Sequence, residues 1–173
     1  MEAISKLPVR KNLPHDAPFW VPDGEIFFIT IYAANREAQP LANPEVAQSL
    51  LSSARYYHEQ GIWWVRLFLI MPDHVHGLLA FPPDKVMRKV IGAWKSYTAK
   101  KTGASWQQDF FDHRVRNLPA LDEKELYILQ NPMRKGLVKS TEDWLWLLRQ
   151  RDLVGQTEER RVGDAPPYPQ TSA

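Results

Sequence analysis

Residues 62–81 read IWWVRLFLIMPDHVHGLLAF. Two apolar runs rich in β-branched and aromatic residues flank Pro72-Asp73, the composition of two strands joined by a tight turn. The segment therefore reads as a hairpin, with its second strand starting at His74. Successive strand residues point to opposite faces, so His74 and His76 point the same way and Val75 and Gly77 the other. Their Cα atoms then lie roughly 6.5–7 Å apart. Two imidazoles at that spacing can converge on one ion at about 2.1 Å each. On a helix, positions i and i+2 would not face each other. The bland alternative, and the commoner fate of an H-x-H pair, is two partly buried histidines held by hydrogen bonds.

Working outward, EIFFITIYAAN (25–35) reads as a further strand. NPEVAQSLLSSARYYHEQG (43–61) reads as a helix that Asn43 caps, Pro44 opens and Gly61 stops. Val46, Leu50, Leu51, Ala54 and Tyr57 form its apolar stripe. PDKVMRKVIGAWKSYTAKKTG (83–103) reads as a second helix ending at Gly103, and SWQQDFFDHRVRN (105–117) as a fourth strand. LDEKELYILQNPMRKG (121–136) reads as a third helix, with acids in its first turn and bases in its last, as the helix dipole favours. Pro132 should bend or break it. STEDWLWLLRQRD (140–152) reads as a short final helix capped by Ser140 or Thr141. The order β α β β α β α predicts an α+β fold, a ferredoxin-like or RRM-like sandwich. Its four-stranded antiparallel sheet would carry helices on one face plus an extra C-terminal helix, leaving one sheet face for other work.

The chain has 173 residues, 44% of them hydrophobic, enough for one domain with a real core. It has no cysteine, which excludes disulfides, thiolate zinc sites and cysteine nucleophiles. Residues 1–24, with Pro8, Pro14, Pro18 and Pro22 among Lys6, Arg10 and Lys11, read as an extended basic arm. Residues 25–153 read as the single folded domain and 154–173 as a disordered tail. No apolar segment suits a secretory signal and none approaches the roughly 18 residues of a membrane span, which points to a cytoplasmic protein.

A net charge of +2 does not by itself mark a nucleic-acid binder, so its distribution matters. From Lys85 to Lys101 the second helix carries Lys85, Arg88, Lys89, Lys95, Lys100 and Lys101 with no acid. A basic run is usually just a solvated face; this one is a stripe suited to phosphates. With Arg114, Arg116, Arg134 and Lys135 it could surround a nucleic-acid groove.

MPDHVHGLL (71–79) resembles the H-hydrophobic-H motif of the HUH endonucleases, especially the single-tyrosine transposases. Within these, the REP-associated tyrosine transposase family carries M-P-N/D-H-x-H before an apolar run, then WQ..FFDH, then YI..NP...G. This chain has WQQDFFDHRV at 106–115 and YILQNPMRKGLV at 127–138, in the same order. Each element alone is weak; the three together, spanning about residues 20–149, are specific. The resemblance implies an enzyme that nicks single-stranded DNA beside a REP-type hairpin, forming a 5′-phosphotyrosyl link and freeing a 3′-OH. It implies His74, His76 and Asn131 as ligands of Mg2+ or Mn2+, and Tyr127 as nucleophile. Related insertion-sequence transposases often have Gln where this chain has Asn131. Some relatives exchange tyrosines between protomers and others work alone, so monomer and homodimer both stay open.

The chemistry of these residues agrees with that assignment. Tyr127 and Asn131, at i and i+4, share one helix face. A tyrosine with its ordinary pKa near 10 is a poor nucleophile at neutral pH, and a nearby cation favours the phenolate and polarises a phosphate oxygen. An amide oxygen is a hard ligand suited to magnesium or manganese, although zinc also accepts such a set. Tyr97 is the rival nucleophile and His113 the rival ligand, and Tyr127 read without the resemblance is an ordinary amphipathic tyrosine. Asp73 suits the hairpin turn and a contact to an imidazole. His15 and His58 read as arm or surface residues. Two other classes compete. A non-catalytic RRM-like module would stack bases on sheet aromatics, but lacks the RNP pattern. A zinc hydrolase would need H-E-x-x-H or a third ligand at a familiar spacing.

Overall fold

The computed structural model describes residues 24–154. The basic arm expected over 1–24 lies almost wholly outside these residues, as does the tail expected after Val154. Strand β1 spans Ile26–Tyr32, helix α1 Pro44–Glu59, β2 Trp64–Ile70, β3 His74–Ala80, and helix α2 Met87–Thr102. Strand β4 (Phe111–Arg114), helix α3 (Leu118–Arg134), strand β5 (Leu147–Arg149) and the one-turn helix α4 (Arg151–Val154) follow. The fold is α+β.

The hairpin is present: β2 and β3 pair antiparallel, with a register shift between Val65 and Leu67. Their residues are buried on both faces of the sheet apart from Trp64 and Arg66, because the sheet is covered on both sides. One layer is α1 and α2. Ala47, Leu50 and Ala54 of α1 and Val90, Ile91 and Trp94 of α2 meet Ile29, Phe68, Val75 and Leu79. The other layer is α3, whose Leu121 and Ile128 meet Phe28, Leu67, Leu69 and Leu78. Asn43 caps α1 through its side chain, accepting from the backbone N–H of Glu45 at 2.8 Å. Gly103, at φ 75°, ends α2.

The sheet departs from the expected one in cover and in size: helices lie on both faces, α3 occupying the face expected to stay open. It has five strands in the order β4-β1-β3-β2-β5, every pairing antiparallel. The fifth strand comes from the segment read as a final helix. Ser140 caps only a single 3-10 turn over Thr141–Asp143, after which Leu147–Arg149 pairs with β2. The indole N–H of Trp144 donates to Ile70 O at 3.0 Å and helps hold this segment against the end of β2. Helix periodicity and a short edge strand are indistinguishable in so few apolar residues.

Three boundaries also move. Helix α3 starts at Leu118, capped by the side chain of Asn117, so its acids lie beyond the first turn rather than in it. Pro132 does not end α3, which runs on to Arg134 and closes with Lys135 N–H donating to Asn131 O at 3.0 Å. Helix α2 starts only at Met87, which leaves Lys85 ahead of it, paired with Asp84 at 3.2 Å.

Candidate active site

Alternation along β3 puts His74 and His76 on the α3 face, opposite Val75 and Leu79. The pairing of β1 with β3 sets Tyr32 beside His74 and Thr30 beside His76. Both histidines are buried, as is Asn131.

Each imidazole is held by its Nδ1 side. The Asp73 carboxylate accepts from His74 Nδ1–H at 2.6 Å, and Asp73 in turn accepts from Arg36 Nε–H at 2.8 Å. His76 Nδ1 lies 2.9 Å from Thr30 Oγ1. The two Nε2 atoms then face each other at 3.0 Å, and the Asn131 amide stands 3.1 Å from His76 Nε2.

Burial pushes the His74 pKa down, against the opposing hydrogen bond and charge of Asp73. His76 is pushed down to about 3, by burial first and by His74 second. Burial alone would raise the Asp73 carboxyl, but the hydrogen bonds from His74 and Arg36 outweigh it and hold it low. The rings are therefore neutral near pH 7. With Nδ1–H of His74 committed to Asp73, its Nε2 carries a lone pair aimed at His76 Nε2. Two lone pairs at 3.0 Å repel unless a proton or a cation lies between them.

That donor set fits a divalent cation. Two ligand atoms 3.0 Å apart, each about 2.1 Å from one ion, subtend roughly 90°, the cis angle of an octahedral site. The Asn131 amide donates N–H to His76 Nε2 as it stands; turned over, it presents Oδ1, the atom a hard cation takes. Among the described residues no three His, Asp or Glu side chains group as a metal site, so a protein ligand set built on this pair would draw on the neighbouring Asn131 amide.

Tyr127 lies one turn before Asn131 on α3 and is 40% exposed. Its ring packs edge-on to His76 at 5.8 Å and to Phe28 at 6.0 Å, with the Arg134 guanidinium 5.5 Å from its centroid. Phe28 also stacks on His76 at 5.3 Å. Helix α3 is tied to the sheet beside the site by Arg66. Lying where the β2–β3 register shifts, this residue donates from Nε and Nη2 to Glu125 at 3.2 and 3.1 Å.

The sequence thus brings His74, His76, Tyr127 and Asn131 together, with Arg134 against the tyrosine and Lys135 close enough to depress His74. It does not bring the α2 bases there. Arg88, Lys89, Lys100 and Lys101 are exposed on a helix that packs on the opposite face of the sheet. Lys95 is partly buried and donates from Nζ to Gln107 O and Gln108 O at 2.6 and 2.7 Å, pinning the loop before β4. Arg114 faces the α2 side, since its partner across β1 is Phe27; Arg116 is exposed beyond the strand. Tyr97 is exposed on α2, also across the sheet from the histidines. His113 pairs with Phe28 on the histidine face but is exposed on the edge strand rather than buried with His74, His76 and Asn131. His58 is not a surface residue as expected: its Nδ1 accepts from Val65 N–H at 3.0 Å at the α1–β2 junction. Sequence reasoning missed Thr30, which only the β1–β3 register sets beside His76, Arg36, which reaches Asp73 from the loop after β1, and the Arg66–Glu125 tie, which depends on α3 packing on this face. No helix among the described residues is long and apolar enough to cross a membrane.

Residues 28–118, just over half of the chain, match the family described as "Transposase IS200 like". The REP-associated tyrosine transposase of Escherichia coli K12 is 24% identical over 136 residues, covering 76% of this chain and 80% of its own. A candidate REP-associated tyrosine transposase of Haemophilus influenzae is 22% identical over 162 residues, covering 83% and 90%. Among solved structures, a REP-associated tyrosine transposase bound to a REP hairpin superposes with a TM-score of 0.68 at 22% identity, covering 86% of each chain.

Proposed function

The chain belongs to the IS200-like transposase family, and on that premise we propose that it nicks and rejoins single-stranded DNA beside a REP-type hairpin. The observation that carries this reading is the buried convergence of His74 Nε2, His76 Nε2 and the Asn131 amide beneath a half-exposed Tyr127. The relative solved with a REP hairpin supports hairpin DNA as the substrate class.

In this reading Tyr127 Oη forms a bond to the phosphorus and the P–O3′ bond breaks. The phenol gives up its proton and the departing 3′ oxygen takes one, leaving a 5′-phosphotyrosyl ester and a free 3′-OH. Attack by a 3′-OH on that ester reverses the step and rejoins a strand. A Mg2+ or Mn2+ ion held by His74, His76 and Asn131 would supply positive charge to the phosphate.

The chain's own groups set the stage. Asp73 and Thr30 fix the two imidazoles in orientation through their Nδ1 atoms. Phe28 supports both the His76 and the Tyr127 rings, so nucleophile and ligands share one buried backing. Arg134, against Tyr127, offers a cation to the same phosphate.

The test is incubation of the full chain with hairpin-bearing single-stranded DNA and Mn2+. A protein–DNA band that survives SDS and disappears with chelator is expected. Tight hairpin binding without any covalent band would favour a non-catalytic binding module instead.

A further inference from the structure

The nicking reading accounts for the scissile phosphate but not for how the strand on either side of it is held. Phe111 lies on β4, the outermost strand at one end of the sheet. It pairs with Thr30 of β1, and Thr30 pairs with His76 of β3. Side chains paired across a ladder share a face, so Phe111, Thr30 and His76 form one row on the Tyr127 side.

The end of that row is an open aromatic surface. Phe111 is 47% exposed and Tyr127 40% exposed. Both rings sit edge-on to the buried Phe28, at 6.2 and 6.0 Å. His113, two residues on, is exposed on the same face. Lys124 of α3 brings its ammonium within 5.6 Å of the Phe28 centroid, and its ion pair with Glu123 is long at 3.8 Å. Edge strands are ordinarily protected by charged side chains, and a half-exposed Phe forgoes burial that is worth stability. Its position fits instead the pattern of single-strand binding sites, an exposed aromatic ring and a cation, here both set against the shared Phe28 ring.

Resting on the nicking reading, we infer that Phe111 is the stacking platform for an unpaired base next to the scissile phosphate, with Lys124 taking a neighbouring backbone phosphate. Every base offers a π-face, so such a platform holds the strand without selecting its sequence. Any reading of the hairpin then falls to other parts of the molecule.

The test uses the full chain carrying Tyr127→Phe, so that binding is measured without cleavage. The ligands are fluorescent hairpins with single-stranded flanks, intact or with one abasic site moved along the flank. Phe111→Leu keeps an apolar side chain against Phe28 but removes the ring. It should weaken binding about tenfold, while Phe111→Trp stays near the parent. One abasic position should cost the parent a similar factor and cost Phe111→Leu nothing further. Lys124→Ala should lower the log–log salt slope by about 0.7. Parent-like binding by Phe111→Leu, or equal losses at every abasic position in both proteins, overturns the platform. Failure of the nicking reading would appear separately, as no SDS-resistant band from the unsubstituted chain.

Discussion

His74 Nε2 lies 3.0 Å from His76 Nε2, while Asp73 and Thr30 hold the two Nδ1 atoms. The pair therefore has one free direction, toward each other and toward Asn131. This makes the ligand group sensitive to its supports. Thr30→Val keeps shape and removes the hydroxyl beside His76, so Mn2+ affinity by calorimetry should fall about 10–100-fold. His76→Ala should abolish measurable binding and cleavage together. Mn2+ affinity unchanged in Thr30→Val would mean that the hydroxyl only fills space.

The same burial gives the metal-free protein an acid-sensitive core. The folded pKa of His76 is about 3, and that of His74 is also lowered. An unfolded histidine takes up a proton near pH 6.5, whereas the folded one resists it. The unfolded state thus binds more protons, and stability is full above about pH 6.5 and declines as pH falls toward 3. For His76 the slope approaches about 1.4 kcal/mol per pH unit at most. Denaturant melts with chelator from pH 7.5 to 4 should show the decline, and His76→Gln should flatten it. A parent curve flat over that range would contradict the buried neutral pair.

Much of this was legible from periodicity alone. His74 and His76 on one strand face, Tyr127 and Asn131 one helical turn apart, and the Asn43–Pro44 start of α1 all follow from local geometry. What was not legible depends on register and layer. The sequence cannot say that α3 covers the face left open by α1 and α2, and so cannot say that α2 with its bases lies across the sheet from His74. Thr30 becomes a partner of His76 only through the pairing of β1 with β3. The segment Leu147–Arg149 is too short for its period to distinguish strand from helix.

That layering redistributes the expected DNA contacts. Arg134→Ala with Lys135→Ala should weaken hairpin binding and lower the salt slope by about 0.7 per lost single-strand phosphate contact. Lys89→Glu with Lys101→Glu should leave cleavage at saturating DNA unchanged, because both lie on the far side of the sheet. A larger cleavage defect from the α2 pair than from the α3 pair would reverse this ordering.

Lys95 has a different expected phenotype. Its ammonium donates to two backbone carbonyls, Gln107 O and Gln108 O, beside β4. Lys95→Met retains the stem and loses both bonds, at a cost of roughly 1–3 kcal/mol. A lowered denaturation midpoint with the salt slope of DNA binding unchanged is expected. A changed slope with unchanged stability would make Lys95 a phosphate contact.

Tyr127 is the decisive residue. Tyr127→Phe removes the hydroxyl of a half-exposed residue and leaves the ring against His76 and Phe28, so fold, Mn2+ affinity and hairpin affinity should persist while cleavage disappears. Tyr97→Phe, across the sheet, should cleave normally. The most direct measurement is a peptide map of the covalent adduct formed with hairpin DNA and Mn2+. The 5′-phosphate is expected on the peptide carrying Tyr127; attachment to the peptide carrying Tyr97, or an adduct that still forms in Tyr127→Phe, would contradict Tyr127 as the nucleophile.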